Sequence, residues 1–334
     1  MSSTTQPTTF EDLYTDLIDR SRGSSSQSST VVQAKRYINS ALHDMHTNPG
    51  QLMPWAIRRA VLITHAPYST GTISITVGTS RTAVTGSGTL WNTDSDNFGF
   101  NNVRAGGKII LGSGNEVYDV SAVSSDTALT LSTVYTGASL SGESYRYFED
   151  EYALASDFWR IQDMRLFSSD ANIPLIGPME FRRLNVKNDI TGRPKLACII
   201  ELAPSGSTAS RPRVVLHPAP DDEYSIPYYY STSNLAVSSA GAAQAALSAT
   251  TDEPIVPLRY RNAIVFNALY HWYRDHKDDQ RSQEAKAEYV DIMTRVSNDL
   301  GIGRDRASIV VSGRMPGRAR GQFDVGSRFD RMEW

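Results

Sequence analysis

The chain has 334 residues, a formal net charge of -3 at pH 7, and 40% apolar and 21% charged residues. This length and composition are typical of a folded protein with two or three domains. The small negative net charge excludes a global basic field for binding nucleic acid. The sequence contains no apolar run long enough to cross a bilayer, and its start, MSSTTQPTTF, predicts no signal peptide. The single cysteine, Cys198, excludes an intramolecular disulfide and is predicted to be a buried, inert thiol.

Two amphipathic helices are predicted near the start of the chain. Thr9 and Asp12 have the spacing of a capping pair for the first, FEDLYTDLIDR. Thr30 and Gln33 predict a second capping box, for VVQAKRYINSALHDMHTN, which Asn48–Gly50 ends. The SRGSSSQSS segment between the helices is predicted to be a flexible link. Each helix has one apolar face, formed by Phe10, Leu13, Leu17 and Ile18 in the first and by Val31, Ala34, Ile38, Ala41, Leu42 and Met45 in the second.

From Arg58 onward the apolar pattern alternates, which is typical of strands. Ile73, Ile75 and Val77 are predicted to share one strand face. The turn Gly112–Asn115 is predicted to join two strands as a hairpin. Residues 69–148 contain short strand patterns, turns rich in Gly, Ser and Asn, and no helical pattern. They therefore predict a small β-barrel or sandwich inserted between helices.

A second strand-rich stretch is predicted between Arg160 and Tyr230, in MEFRRLNV, KLACIIEL, RVVLHPAP and EYSIPYYYST. The segment AVSSAGAAQAALSATTDE that follows is predicted to be a flexible loop. Two helices then form an antiparallel hairpin, with Asp278 or Asp279 capping the second and Gly301 ending it. Their predicted inward faces consist of Ile264, Val265, Ala268, Leu269 and Trp272, and of Ala285, Tyr289, Ile292, Met293 and Val296.

Together these elements predict an α+β fold with a discontinuous helical bundle. The N-terminal helices and the C-terminal helical hairpin form the bundle, and a small β-barrel or sandwich is inserted between them. A further strand-rich region and an extended C-terminal arm complete the chain. The predicted segments are 1–66 for the first helices, 67–150 for the inserted all-β domain, 151–235 for the strand-rich region, 236–300 for the linker and hairpin, and 301–334 for the arm.

The arm, Gly301–Trp334, contains arginines separated by glycines and single apolar residues, with no helical or strand period after Val311. Such a segment cannot bury enough apolar surface to offset the entropy lost on ordering it. Apolar anchors nevertheless recur along it, which favours binding to another protein. The alternative is a frayed terminus without function. The anchors are Met315, Phe323, Val325, Phe329 and Trp334.

The sequence predicts no catalytic residue, no metal site and no cofactor. Walker, GxSxG and HExxH motifs do not occur, and the two GSG turns do not precede helices. His271 and Asp275 are four residues apart, but a solvated helix end is favoured over a metal site. The carboxylates of Glu149–Glu151 are interpreted as a charged boundary segment, and Tyr228–Tyr230 as strand residues with packed aromatic rings. The chain is therefore predicted not to be an enzyme.

Two blocks of sequence carry a resemblance to a known family. The first consists of APYSTGTISITVGTSRTAVTGSGTLWNTD at Ala66–Asp94, followed by Gly106–Ala138 and Glu149–Arg165. The second consists of EYSIPYYYSTSNL at Glu223–Leu235, followed by Asp252–Tyr289. In these blocks, and in the order of its predicted elements, the chain resembles the head-to-tail adaptor (connector) proteins of tailed bacteriophages.

The resemblance implies a virion protein that assembles in the host cytoplasm into a ring of about twelve copies. The ring would lie beneath the portal protein in the virion neck and present its β regions to a tail, nozzle or head-completion protein. Double-stranded DNA would pass through its lumen without specific recognition, and no membrane partner is implied. The arm would insert into the portal, and its implied anchoring residues are Arg314, Arg318, Arg320, Phe323, Phe329 and Trp334.

The sequence is also compatible with two other functions. A tail-associated module that binds carbohydrate or a host surface would need a concave aromatic patch on the β insert. The residues available for that patch are Trp91, Phe98 and Phe100. A nuclease or hydrolase of the neck is the other alternative, and the missing motifs argue against it.

Overall fold

A computed structural model describes residues 6–23, 26–47, 53–95, 99–168, 171–184, 189–201 and 211–300. The chain forms two compact units. The helical unit contains the described residues up to Arg58 and from Ser231 onward, and the β unit contains those from Arg59 to Tyr230. None of the described helices is long and apolar enough to cross a membrane.

The described elements confirm the predicted α+β class. The helices are α1 (Phe10–Ser21), α2 (Ser28–Thr47), α3 (Pro178–Leu184), α4 (Asn262–Asp275) and α5 (Asp279–Asp299). The first nine strands are β1 (Ile57–Ile63), β2 (Thr72–Ile75), β3 (Ala83–Ser87), β4 (Lys108–Leu111), β5 (Val117–Ser125), β6 (Ala128–Leu131), β7 (Leu140–Glu143), β8 (Tyr145–Phe148) and β9 (Glu151–Ala153). The others are β10 (Phe158–Leu166), β11 (Ala171–Asn172), β12 (Leu196–Glu201), β13 (Pro212–His217), β14 (Ser225–Thr232), β15 (Ala236–Val237), β16 (Ala243–Gln244) and β17 (Glu253–Pro254).

The predicted cap of α1 is confirmed. The Thr9 hydroxyl accepts a hydrogen bond from the Asp12 N–H at 3.3 Å, and the Asp12 carboxylate accepts one from the Thr9 N–H at 3.0 Å. The second predicted capping box is wrong because α2 begins at Ser28. Thr30 therefore lies inside the first turn, where its hydroxyl donates to the side chain of Gln27 at 3.4 Å. The predicted stops at Asn48–Gly50 and Gly301 lie outside the described residues.

One hydrophobic core fills the helical unit and takes residues from α1, α2, α4 and α5. The predicted apolar faces are confirmed, since nearly all of their residues are buried and the others pack partly buried against this core. Three residues join α4 to α5. Asp278 caps α5 by accepting a hydrogen bond from the Arg281 N–H at 3.3 Å.

The Ala/Ser-rich segment after Leu235 is not the featureless loop that its composition predicts. It forms the three-stranded sheet β16-β15-β17 and contributes Ala236 and Leu247 to the core of the helical unit. The Asn39 side chain donates to the Leu247 carbonyl and accepts from the Leu247 N–H, both at 3.0 Å. This pair of hydrogen bonds imitates strand pairing, which composition alone does not reveal.

The first half of the β unit is a seven-stranded sheet in the order β7-β2-β3-β6-β5-β4-β8. The sheet curls into a half-barrel. Its two outermost strands, β7 and β8, are separated in sequence by Ser144 alone, so the chain passes directly from one edge strand to the other. The predicted hairpin at Gly112–Asn115 is confirmed, with Ile110 paired to Val117. Val77 does not continue the strand face of Ile73 and Ile75, because β2 ends at Ile75 and a turn follows.

The second half of the β unit is a sandwich of two sheets, β1-β14-β10-β11 and β12-β13-β9. Their facing side chains form one core that includes Leu62, Met164, Leu216 and Tyr228. The strand predicted in MEFRRLNV is wrong, since α3 occupies most of it. Pro178 takes the first helical position, where its missing N–H is not needed, and the Phe181 N–H donates to the Gly177 carbonyl at 2.9 Å.

Candidate functional site

Three consecutive carboxylates, Glu149, Asp150 and Glu151, connect the half-barrel to the sandwich. The first two follow β8 and the third begins β9. The sequence predicted a charged boundary segment here but gave no sign of burial. Glu149 is 8% exposed and Asp150 1% exposed, so both carboxylates need positive partners inside the protein.

Glu149 is held by Arg104 and Tyr147. Arg104 donates to both carboxylate oxygens, from Nε at 2.8 Å and from Nη2 over a short contact. The Tyr147 hydroxyl donates to the same carboxylate at 2.6 Å. Burial acts to lower the pKa of Arg104, but hydrogen bonding to Glu149 and its negative charge outweigh burial and raise that pKa. Burial, reinforced by Glu149, raises the pKa of Tyr147 well above its usual value, so this hydroxyl stays protonated.

The other two carboxylates have different cationic partners. Lys108 forms an ion pair with Asp150 and lies 4.0 Å from the Glu151 carboxylate. Arg213 donates from Nη2 to the Glu151 carbonyl at 3.0 Å, and its Nε lies 3.8 Å from the carboxylate. Burial and the neighbouring Asp150 raise the pKa of Glu151, while Lys108 and Arg213 act in the opposite direction. These four charged groups therefore tie β4 and β13 to the connection between the two halves of the β unit.

A cavity of about 100 Å³ lies beside the Arg104–Glu149 pair. The Phe100 ring forms part of its wall, with the His65 ring centroid 4.2 Å away and the Arg104 guanidinium 4.1 Å from its centroid. Burial, with a further contribution from the charge of Arg104, lowers the pKa of His65. The rest of the lining is mixed, and includes Tyr68, Asp94, Asn101, Asn102, Tyr147, Glu149 and Glu223.

These contacts favour a structural role for Glu149 and His65, in holding the half-barrel against the sandwich, over a role in proton transfer. The Glu149 carboxylate binds a guanidinium and a hydroxyl, and the lowered pKa of His65 favours its neutral form. Paired buried charges of this kind fix one geometry, because moving either partner leaves the other charge without compensation. We therefore regard the network as the part of the β unit that sets how the half-barrel and sandwich join.

The other residues that the sequence analysis named do not form a common site among the described residues. The predicted arm residues Arg314, Arg318, Arg320, Phe323, Phe329 and Trp334 lie outside the described residues. His271 lies 3.0 Å from Asp44, and Asp275 accepts a hydrogen bond from Tyr37 at 2.6 Å. Within the described part of the chain, no group of three or more His, Cys, Asp or Glu side chains is arranged to hold a metal ion.

The aromatic patch required by the carbohydrate-binding alternative is not assembled from its three residues. Trp91 is fully buried in the half-barrel core and donates from its indole N–H to the Tyr145 hydroxyl at 2.9 Å. Phe98 lies outside the described residues. Phe100 is half-buried between His65 and Arg104, so two neighbouring groups already contact its ring.

Exposed apolar side chains concentrate on the sandwich. Among the described residues, nine of the fourteen large apolar side chains that are exposed belong to it. Single exposed apolar residues are ordinary, whereas a cluster marks an interaction surface. Sequence patterning did not identify these residues, because those on strands belong to strands with apolar residues on both faces, and the others lie on α3 or outside the strands. The nine residues are Val61, Ile63, Trp159, Phe167, Leu175, Met179, Leu184, Ile190 and Tyr229.

Comparison with known families shows what the chain is similar to. The family model described as SU10 adaptor protein matches residues 8–316, which extend through both units of the chain. No curated protein matches the chain.

Proposed function

This chain belongs to the SU10 adaptor protein family and is a structural component of a phage virion, and we propose that it joins the head to the tail. In this proposal the protein docks beneath the portal and binds a tail, nozzle or head-completion protein on its other side. About twelve copies form a ring, because a ring under a symmetric portal needs repeated copies of one interface. The observation that carries the proposal is the family match over residues 8–316.

The predicted organisation of the chain supports a role as a virion component that contacts several partners. Helices α1, α2, α4 and α5 would form the discontinuous bundle, and the β unit, inserted in the chain between α2 and α4, would comprise the inserted domain and the strand-rich region. The finer division at residues 66, 150, 235 and 300 is part of this proposal. Separate surfaces for the portal, the tail component and neighbouring copies would then lie on separate segments.

The arm is proposed to anchor the protein in the portal. Arginines interspersed with aromatic residues suit the contact of an extended segment with a partner surface. Of the six implied anchoring residues, Arg314 lies within the family match, and the other five follow residue 316. We therefore propose that the five anchoring residues after residue 316 are specific to this chain and do not belong to the sequence pattern shared by the family.

The charge of the protein suits a channel through which DNA slides. A net charge of -3 gives no overall attraction to phosphate, so DNA passing through the ring would not be retained. We propose no catalytic activity for this protein. The carbohydrate-binding alternative receives no support from the described structure, because Trp91 lies in a core and not on a surface.

Two truncations test the arm. One removes residues 301–334 and the other removes residues 317–334, which follow the family match. Each truncated protein is mixed with DNA-filled heads that lack the adaptor, and attachment is measured by sedimentation and negative-stain imaging. We expect both truncations to keep the helical circular dichroism signal of the full chain and to lose attachment to heads.

A matched control separates loss of the arm from loss of positive charge in general. Arg295 lies on the exposed side of α5, with 69% of its side chain accessible. Arg295→Ala should attach to heads as the unaltered protein does. Normal attachment by the protein lacking 301–334 would show that the arm does not anchor it. Failure of the full chain to attach to heads would overturn the adaptor position itself.

A further inference from the structure

The sandwich carries an exposed apolar surface on the outer side of the sheet β1-β14-β10-β11. Val61 and Ile63 on β1, Tyr229 on β14 and Phe167 just after β10 are between 46% and 73% exposed. Their chain neighbours Leu62, Tyr228 and Leu166 are buried in the sandwich core. Because successive residues of a strand point to opposite faces, the four exposed residues lie on the outer side. We name these four residues the sheet face.

Two residues of the sheet face, Ile63 and Phe167, lie at the same end of the sheet. The Thr64 N–H donates to the Tyr224 carbonyl, and the Phe167 N–H donates to the Ser225 carbonyl, both at 3.0 Å. The C-terminal ends of β1 and β10 therefore flank the start of β14. Neighbouring strands lie about 4.8 Å apart, so Ile63 and Phe167 sit on either side of one strand.

A second exposed apolar surface lies on the other side of the sandwich. In α3, Met179 is 75% exposed and Leu184 61% exposed, and no α3 residue is buried. Phe181 of α3 packs against His217, with ring centroids 6.1 Å apart. His217 follows Leu216, which is buried in the sandwich core, so α3 covers the outer side of the sheet β12-β13-β9. Met179 and Leu184 are five residues apart, so their side chains point about 140° apart around the helix axis. We name the exposed surface of α3 that carries both the helix face.

The two faces have rims of opposite charge. The exposed residues Asp221, Asp222 and Glu223 border the sheet face, because the Thr64 hydroxyl next to Ile63 donates to the Asp222 carbonyl at 2.9 Å. On the sheet face itself, Arg165 is paired with Asp163 at 2.8 Å. The helix face carries three exposed charged residues, Glu180, Arg182 and Arg183, so it has one more positive than negative charge.

We propose that the sheet face of one copy docks on the helix face of the next copy. A face that meets a different face forms a heterologous contact, and such contacts close into a ring when the rotation between copies allows it. Two complementary faces on opposite sides of one sandwich give each copy one neighbour on either side. Acidic and basic rims would fix the orientation of the apolar contact. This inference rests on the ring of the proposed function and names the surfaces that build it.

The exposed apolar residues would form the centre of such a contact, and the charged rims would supply the rest of its area. A stable interface covers about 800 Å² on each partner, and a fully buried aromatic side chain alone covers about 150–250 Å². Phe167 and Tyr229 are exposed by 73% and 46%. Together with the aliphatic residues of the sheet face, they expose more apolar area than a single exposed side chain does.

Cysteine cross-linking of the full chain tests the pairing. Tyr229→Cys is combined with Met179→Cys, and the native Cys198, which is 1% exposed, does not compete. The protein is treated with a short bismaleimide, alone at high concentration and again with portal-bearing heads. We expect a ladder of covalent oligomers longer than two from the double variant, and monomers from each single variant.

Val134→Cys combined with Met179→Cys is the matched control. Val134 is 60% exposed, but it belongs to the half-barrel, so this pair should give no ladder. Dimers from either single variant would show that a face meets itself and would overturn the proposal. Absence of a ladder in both conditions would also overturn it.

Charge insertion gives a second measurement. Tyr229→Asp and Met179→Asp each change one exposed side chain, and circular dichroism verifies that both variants fold. Each should reduce self-association, in solution or on heads, by roughly tenfold or more, as truncation of a central contact residue does. Mixed together they retain one intact face each and should give dimers that grow no further. Unchanged assembly by either variant would contradict the pairing.

The outcomes separate this inference from the proposed function. A ladder from Tyr229→Cys/Met179→Cys, with no attachment of the full chain to heads, would leave the self-contact standing without the head-to-tail role. Attachment to heads without a ladder would leave the adaptor role standing and reject these two faces.

Discussion

At the scale of single residues, the Arg104–Glu149 pair illustrates why a buried charge is costly to alter. The Glu149 side chain is 9% exposed and that of Arg104 30%. The attraction between the two charges does little more than offset the free energy lost when both are removed from water. Replacing one of them leaves the other charge buried without an opposite charge beside it. Tyr147 cannot replace Arg104, because a neutral hydroxyl donates one hydrogen bond and carries no charge.

We predict that Arg104→Met destabilises the protein by about 2–3 kcal/mol, less than the roughly 3–5 kcal/mol lost when a fully buried pair is broken, because Arg104 is partly exposed. Arg104→Met combined with Glu149→Leu should recover part of that loss, since no buried charge then remains unpaired. Urea unfolding followed by circular dichroism measures the difference in free energy.

The exposed pair of Arg295 and Asp291 on α5 is the control for this measurement. Their side chains are 69% and 53% exposed. Arg295→Met should therefore cost no more than about 0.5 kcal/mol. Equal costs at Arg104 and Arg295 would mean that the boundary network contributes no more than a surface ion pair.

At the scale of secondary structure elements, the sequence predicts best where one local rule decides. The Thr9–Asp12 pair places the start of α1, and alternation places β2 as far as Ile75. The prediction is wrong for MEFRRLNV, because Pro178 after Gly177 starts a helix there and the short apolar pattern suits either structure. It is also wrong for the Ala/Ser-rich segment, whose order depends on Asn39, a residue 208 positions away from Leu247.

The candidate site depends on contacts that spacing cannot show. Glu149 meets Arg104 across 45 residues, and neither residue stands in a motif. The sheet face was equally invisible, because whether an apolar strand residue is covered depends on the tertiary fold. In contrast, the buried sides of α2 and α4 could be predicted from the sequence, since the helical period of the apolar residues indicates which side is buried.

Gly107 shows how one residue type fixes the packing of β4 against β8. A Cβ added to Gly107 would lie 2.0 Å from the Tyr147 hydroxyl, which cannot withdraw without leaving Glu149. We predict that Gly107→Ala destabilises the β unit by about 1–3 kcal/mol, the usual cost of overpacking. The midpoint of thermal unfolding measures this effect.

Gly78 is the matched control for Gly107. A Cβ added there would meet no atom within 4 Å. Gly78→Ala should therefore change the free energy of unfolding by no more than about 0.5 kcal/mol. A similar loss at both glycines would indicate a general effect of replacing glycine on the flexibility of the chain rather than a clash with Tyr147.

At the scale of the whole molecule, the two units have separate cores. The core of the helical unit takes no described residue between Arg59 and Tyr230, and the two cores of the β unit take none outside that range. The chain passes between the units twice, near Arg58 and near Ser231. These crossings lie on β1 and β14, which are neighbours in one sheet.

We predict that the helical unit folds without the β unit. Neighbouring strands lie about 4.8 Å apart, so an Asn-Gly turn can replace residues 59–230 and join Arg58 to Ser231. The shortened chain keeps every described residue of the helical core, including Leu247 and its partner Asn39. We expect a helical circular dichroism spectrum and one cooperative unfolding transition. A chain without a cooperative transition would show instead that the inserted β unit is needed to hold together helices distant in sequence.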